Sequence, residues 1–236
     1  MPGSNRLSRT LVSGRSRELL ADDYFDAGAR EAAGFMRRAA ELGYPRQRRE
    51  ALDFGCGLGR VTRALADHFA EVVGVDISAE TVARARALNA DYPNCRFLLF
   101  DQPGLEPFED DRFDLIHTVI ELSRESDPAL LLELAREFLR VLRPAGLLML
   151  GVTNRLPLRR VPESQPPMAR LHRLWKEIPA RWRSRLLGRR LHPIAASQTD
   201  LIDLIVARRA QVLQIDGRSR PTHRHQGESR TFWVTK

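Results

Sequence analysis

The residues richest in chemistry lie between positions 52 and 60, in the run Leu52-Asp53-Phe54-Gly55-Cys56-Gly57-Leu58-Gly59-Arg60. Glycines at alternate positions let the backbone turn sharply and let a ligand approach where a Cβ would collide. A helix that starts after such a turn presents unpaired amides at its N-terminus. Asp76 closes the next apolar run, about twenty residues on, where a carboxylate takes both hydroxyls of a ribose. The spacing is GxGxG followed by Arg60, which departs from the GxGxxG of nicotinamide dinucleotide sites. Asp53 also stands two residues before the first glycine. A carboxylate there repels a pyrophosphate and suits a cationic amine or sulfonium. The plainer alternative is a turn that merely joins strand to helix, and Asp76 argues against it. A nicotinamide-dependent oxidoreductase is the rival chemistry.

Short apolar runs alternate with amphipathic segments on both sides of this turn. Periodic apolar residues from Arg17 to Leu42 predict a helix, which Gly43-Tyr44-Pro45 ends. Strands are expected at Ala51–Phe54, Val72–Val75, Phe97–Phe100, Phe113–Ile120 and Leu147–Val152. Helices are expected at Arg60–Phe69, at Ala79–Ala90 with Ser78 as cap, and at Pro128–Leu142 behind Asp127. The last of these is expected to bury Leu131, Leu134, Ala135, Phe138 and Leu142. Strands so short and apolar suit a sheet covered on both faces, and their alternation with helices requires parallel, right-handed crossovers. After a helix at Leu201–Arg209, strands at Gln211–Ile215 and Thr231–Val234 are separated only by a loop, Asp216 to Arg230, and must pair antiparallel. The expected fold is therefore α/β, a doubly wound, Rossmann-like seven-stranded sheet, mostly parallel with an antiparallel final hairpin and helices on both faces.

From about Tyr24 to Val152 the chain resembles the class I S-adenosylmethionine-dependent methyltransferase family, in the DFGCGxGR variant of its first motif. The terminal hairpin resembles that family's last strands. The resemblance implies S-adenosyl-L-methionine as cofactor. It implies that Asp53, Gly55, Cys56 and Gly57 surround the methionyl part, that Asp76 holds the ribose hydroxyls, and that Ile77 lies against the adenine. Asp101, with Gln102 beside it, matches a position that accepts from the adenine amino group. His117 and Thr118 match positions at the methionyl end. Asp101 as a helix cap and Ile77 as core remain the plain readings. The chain departs from the family after the fourth strand, where Val119-Ile120-Glu121-Leu122-Ser123 carries Leu122 at the place of a family histidine.

Methyl transfer from a sulfonium is an in-line displacement that orientation alone accelerates greatly, and a base is needed mainly for a protonated acceptor. The candidates for that base are His117, Glu121 and His223, with His225 beside the last; a hydrogen-bonded structural role is the plain reading of His117. His223 and His225 lie on the loop leaving the carboxyl end of the sixth strand, the face where open α/β sheets bind ligands. No third ligand accompanies them, so no metal site is expected.

The net charge of +8 is local: between Leu158 and His192 ten Lys or Arg stand against Glu163 and Glu177. This basic, lid-like insert, at about 154–197, carries Trp175 and Trp182. Four readings of it stand side by side: a clamp for an anionic small molecule, a contact to anionic lipid beside an apolar acceptor, a nucleic-acid grip, and a lid with solvated arginines. A small-molecule acceptor is favoured because no separate nucleic-acid module is visible. Residues 1–17 read as a flexible tail and 18–236 as one methyltransferase domain. Two cysteines without a CxxC partner, no secretory signal and no long apolar run make a cytoplasmic setting the default. The function expected is methyl transfer to oxygen or nitrogen of a small organic acceptor. The alternatives are an RNA or membrane lipid/quinone acceptor, or a cofactor-binding protein without catalysis. Oligomeric state is left open by the sequence.

Overall fold

A computed structural model describes residues 14–100, 105–122, 128–157, 198–222 and 225–236. In chain order the elements are α1 (Gly14–Leu42), β1 (Glu50–Phe54), α2 (Arg60–Leu65), β2 (Glu71–Asp76), α3 (Ala79–Leu88), β3 (Cys95–Leu99), β4 (Phe113–Leu122), α4 (Pro128–Val141), β5 (Leu142–Pro157), α5 (Gln198–Ala207), β6 (Gln211–Thr222) and β7 (His225–Thr235). The seven strands form one sheet in the order β3-β2-β1-β4-β5-β7-β6. The first five in chain order are parallel, and β7 runs antiparallel to both β5 and β6. The strand order reverses between β1 and β4, and such a switch point opens a crevice at the carboxyl ends of the strands.

The pleat sorts the apolar runs onto two faces. Leu52, Val73, Ile116 and Leu148 pack with Leu134 and Phe138 of α4 and Leu201 and Ile205 of α5. Their chain neighbours Ala51, Val72, Leu115 and Leu147 pack on the other face with Phe35, Met36 and Ala39 of α1 and Val61 and Leu65 of α2. Both faces are covered, which is why each strand reads as a continuous apolar run. The five residues expected to be buried by the fourth helix are all buried. Ser78 caps α3 as expected, its Oγ accepting from the Thr81 amide at 3.2 Å.

One buried side chain ties three of the strands together. Asp114, 1% exposed, accepts from the amides of Arg49 at 2.7 Å and Glu50 at 3.1 Å, and from the Arg143 guanidinium at 2.7 Å. These contacts clip the entry of β1 and the start of β5 to β4.

The hairpin corrects the sequence reading. The segment expected as a loop between Asp216 and Arg230 is mostly strand, with β6 running to Thr222 and β7 resuming at His225. β5 also runs on past Val152 to Pro157, so that Asn154–Pro157 faces Glu228–His225 of β7. β7 gains ladder bonds on both sides and β6 on one, and these outweigh the weak strand preference of Gly227 in β7 and of Gly217 and Pro221 in β6. Pro221 is tolerated because β6 is the edge strand. Residues 1–13 of the expected tail, and the insert from 158 to 197, lie outside the described residues.

Candidate cofactor site

The glycine turn sits where β1 ends at the switch point. The amides of Gly55 and Cys56 both donate to the Val75 carbonyl, at 2.9 and 3.0 Å, so the turn is fastened to the end of β2. Gly55, Gly57 and Gly59 have φ of +81°, +56° and +87°. The space around them differs. A methyl group built on Gly55 meets no atom within 4 Å, and one on Gly57 meets only the Tyr24 hydroxyl, at 3.8 Å. One on Gly59 lies 2.7 Å from the Phe97 ring and 2.8 Å from the Asn89 amide. The first two glycines thus border open space, and the third permits close packing of the turn on β3 and α3.

Asp76, 6% exposed, spans this turn from the end of β2. Its Oδ2 accepts from the Gly57 amide at 3.1 Å and its Oδ1 from the Ser78 amide at 3.0 Å. The carboxylate is held between the glycine turn and the start of α3, with Ile77 half-buried beside it. Cys56 is buried in the turn; burial, reinforced by Asp53 and Asp76, pushes its thiol well above the ordinary range. It serves as packing and stays protonated at neutral pH.

Asp53 lies beneath the turn, 2% exposed, and both of its oxygens are taken by protein groups. The Thr62 hydroxyl donates to Oδ2 at 2.6 Å, and Oδ1 lies 2.8 Å from Nδ1 of His117. A carboxylate only accepts, so Nδ1 is the donor of this pair. The His117 ring stacks on Phe35 of α1, with centroids 5.1 Å apart. Its Nε2, buried, has no hydrogen-bond partner, and neither does Oγ1 of Thr118, the next residue of β4. Two orphaned polar atoms at adjacent positions are uncommon in a folded core. Successive strand residues alternate, so the two atoms lie on opposite faces of β4, and it is the open space at Gly55 and Gly57 that fits a ligand at the end of β1.

Asp53, Gly55, Cys56, Gly57, Asp76, Ile77, His117 and Thr118 are therefore gathered at one end of the sheet. Asp101, Gln102 and His223 lie outside the described residues, as do the side chains of Glu121 and His225. Among the described residues, no group of three or more His, Cys, Asp or Glu could hold a metal ion.

Sequence reasoning missed the contribution of α1. Gly28 lets that helix approach the start of α2 so closely that a Cβ there would stand 2.4 Å from the Arg60 carbonyl oxygen. Glu31 pairs with Arg60 nearby. Tyr24 thereby reaches the glycine turn, and burial raises its phenol above its usual range although Arg60 and the Leu58 backbone pull the other way. A helical glycine was the available signal, but nothing in the sequence says what it packs against.

Residues 51–146 match the family described as a methyltransferase domain. The chain is 34% identical over 128 residues to 2-methyl-6-phytyl-1,4-hydroquinone methyltransferase from Synechocystis, covering 52% of this chain and 39% of that one. It is 28% identical over 110 residues to a ubiquinone biosynthesis O-methyltransferase from Albidiferax ferrireducens, covering 46% and 42%. The chain thus spans less than half the length of these curated relatives. In fold it is similar to the N-methyltransferase NodS from Bradyrhizobium japonicum, with a TM-score of 0.52 at 15% identity over 90% of this chain and 97% of that one. The matched segment, the strand order and the turn at the switch point make this chain similar to the class I S-adenosylmethionine-dependent methyltransferases over its central part.

Proposed function

We propose that this protein transfers the methyl group of S-adenosylmethionine to oxygen or nitrogen of a small organic acceptor, and that the acceptor is a hydroxyl on a quinol-like ring. The observation that carries the first part is the open cradle at Gly55 and Gly57, spanned by Asp76. Asp76 would hold the ribose, and the turn and β4 the amino-acid tail. The bound cofactor would supply an electrophilic methyl group on a sulfonium.

The second part is supported by the relatives, whose names are those of hydroquinone and ubiquinone-pathway methyltransferases. It is supported also by the surface beside the cradle. Val119 lies on β4 two residues past His117, on the same face, and is 51% exposed. Its partner in register is Gly151, which offers no side chain. An apolar shelf of this kind suits a flat ring. A phenolic hydroxyl already loses its proton readily, so placing its oxygen in line with the methyl group supplies much of the rate. Glu121 on β4 is the candidate base, its side chain lying outside the described residues, while His117 is paired with Asp53. The basic insert lies outside the described residues, and an anionic or lipid contact through it belongs to the same test.

Calorimetry with S-adenosylhomocysteine, followed by methyl-release assays on hydroquinones, phenols, amines and RNA, checks both parts. Cofactor-product binding with turnover of hydroquinones is the expected result. Turnover confined to RNA or to amines removes the quinol reading, and binding with no turnover on any acceptor favours a non-catalytic role.

A further inference from the structure

The edge of the sheet at β3 combines open backbone groups with arginines that no carboxylate balances. We infer that this edge is a docking site for an extended acidic peptide, which adds to β3 as a further strand. The inference stands apart from the cofactor reading above.

β3 ends the sheet on its side and pairs with β2 alone. In a parallel ladder, alternate residues turn their backbone groups toward each neighbour. The Asn94 carbonyl accepts from the Val72 amide, and the Phe100 amide donates to the Asp76 carbonyl, both at 2.8 Å. The even-numbered residues therefore face β2, and Cys95, Phe97 and Leu99 turn theirs outward. The outward Cys95 amide is taken by the Tyr92 carbonyl at 2.9 Å. The outward Phe97 carbonyl is taken by Arg86 of α3, whose Nε and Nη2 donate to it at 2.9 and 2.6 Å. The Phe97 and Leu99 amides and the Cys95 and Leu99 carbonyls have no hydrogen-bond partner among the described residues. Such a row of donors and acceptors is a template for one more strand.

The charge beside that row selects the partner. An open groove of about 340 Å³ lies along β3, with Arg86, Tyr92, Cys95, Arg96 and Phe97 in its lining and no acidic residue there. Arg63 of α2 stands over the Tyr92 ring at 4.3 Å and is held from its other side by Phe25 at 4.5 Å. Among the described residues, Arg63, Arg86 and Arg96 have no carboxylate within ion-pair distance, although Arg84 on the same helix as Arg86 is paired with Glu80. A second copy of this chain would set the same arginines against them, and like charge opposes that pairing. An acidic strand does the reverse. Its carboxylates draw off the Arg86 guanidinium, which frees the Phe97 carbonyl to accept an amide of the incoming strand. Nucleic acid matches the charge but has no run of amides and carbonyls to offer the edge.

The probe is a fluorescently labelled hexapeptide of alternating valine and glutamate, titrated into the full chain and followed by anisotropy. A second peptide of the same sequence has every backbone amide N-methylated. It keeps the charge, so it controls for attraction to the arginine-rich insert, but it cannot donate to a strand edge. The first peptide is expected to bind, and the methylated one about tenfold more weakly or worse. Hydrogen exchange followed by NMR is expected to slow at the Phe97 and Leu99 amides when the first peptide is added, because they become ladder donors. Arg96 is exposed, and Arg96→Glu is expected to weaken the first peptide about tenfold without lowering the melting temperature. Arg96→Gln removes the charge without reversing it, loses less, and serves should Arg96→Glu fail to fold. No binding, equal binding of the two peptides, unchanged exchange at Phe97 and Leu99, or an affinity indifferent to residue 96 overturns the inference. A valine–lysine peptide that binds as tightly, or single-stranded RNA that protects the same amides when the peptide does not, overturns it as well.

Discussion

At the residue scale, the two acids of the first motif do different work although the sequence presents them alike. Asp76 accepts from the Gly57 amide of the turn and from the Ser78 amide at the start of α3; Asp53 is sealed beneath the turn by Thr62 and His117. Asp76→Ala should cost both cofactor and fold. The amides of Gly57 and Ser78 lose their acceptor, and the ribose loses its anchor, so S-adenosylhomocysteine affinity is expected to fall about tenfold or more. Calorimetry checks this, and unchanged affinity would remove the assigned role. The three glycines likewise separate by surroundings. Gly59→Ala forces a Cβ against Phe97 and Asn89 at a positive φ, and is expected to lower stability by about 2 kcal/mol or more. That corresponds to a fall of roughly 4–8 °C in melting temperature for a chain of this size. Gly55→Ala has the strained φ but no collision, so its melting temperature should drop less.

At the scale of elements, α1 is the piece that completes the site. Phe35 backs His117, Tyr24 reaches the turn, and Gly28 sets the distance at which both happen. In an exposed helix, glycine to alanine gains about 1 kcal/mol. Here Gly28→Ala is expected to do the reverse, because the new Cβ drives into the Arg60 carbonyl and pushes α1 away from α2. A scan of melting temperature together with S-adenosylhomocysteine affinity would show both falling; a more stable variant would mean that the helix is not pinned there. The periodicity of α4, the cap at Ser78 and the stop at Gly43-Tyr44-Pro45 were legible because each is written within a few residues. The extension of β5, β6 and β7 was not. Their strand character comes from pairing with one another, and Gly217, Pro221 and Gly227 carry no local preference for it.

Over the whole molecule, the site exists only where the sheet reverses direction, so ligand binding and folding are linked. A compound that binds only the folded state stabilises it by about 2.7 kcal/mol at a hundred times its dissociation constant. Saturating S-adenosylhomocysteine is therefore expected to raise the melting temperature by roughly 5–10 °C. NAD should leave it unchanged, and a rise with NAD alone would restore the oxidoreductase reading. Among the described residues no helix is long and apolar enough to cross a membrane.

The sequence by itself determined the α/β class, the order of the parallel units, the closing antiparallel pair and the Asp53-to-Arg60 turn with Asp76 behind it. All of these depend on side-chain periodicity, glycine spacing or caps, which act between residues near in the chain. Tertiary structure alone decided what each group faces. The Asp53–His117 pair joins residues 64 apart, and the Phe35–His117 stack joins an N-terminal helix to the central strand. Asp114 clips three strands from a position that reads as one more residue of an apolar run. Such partners are set by which strands become neighbours, and a linear pattern carries no record of that.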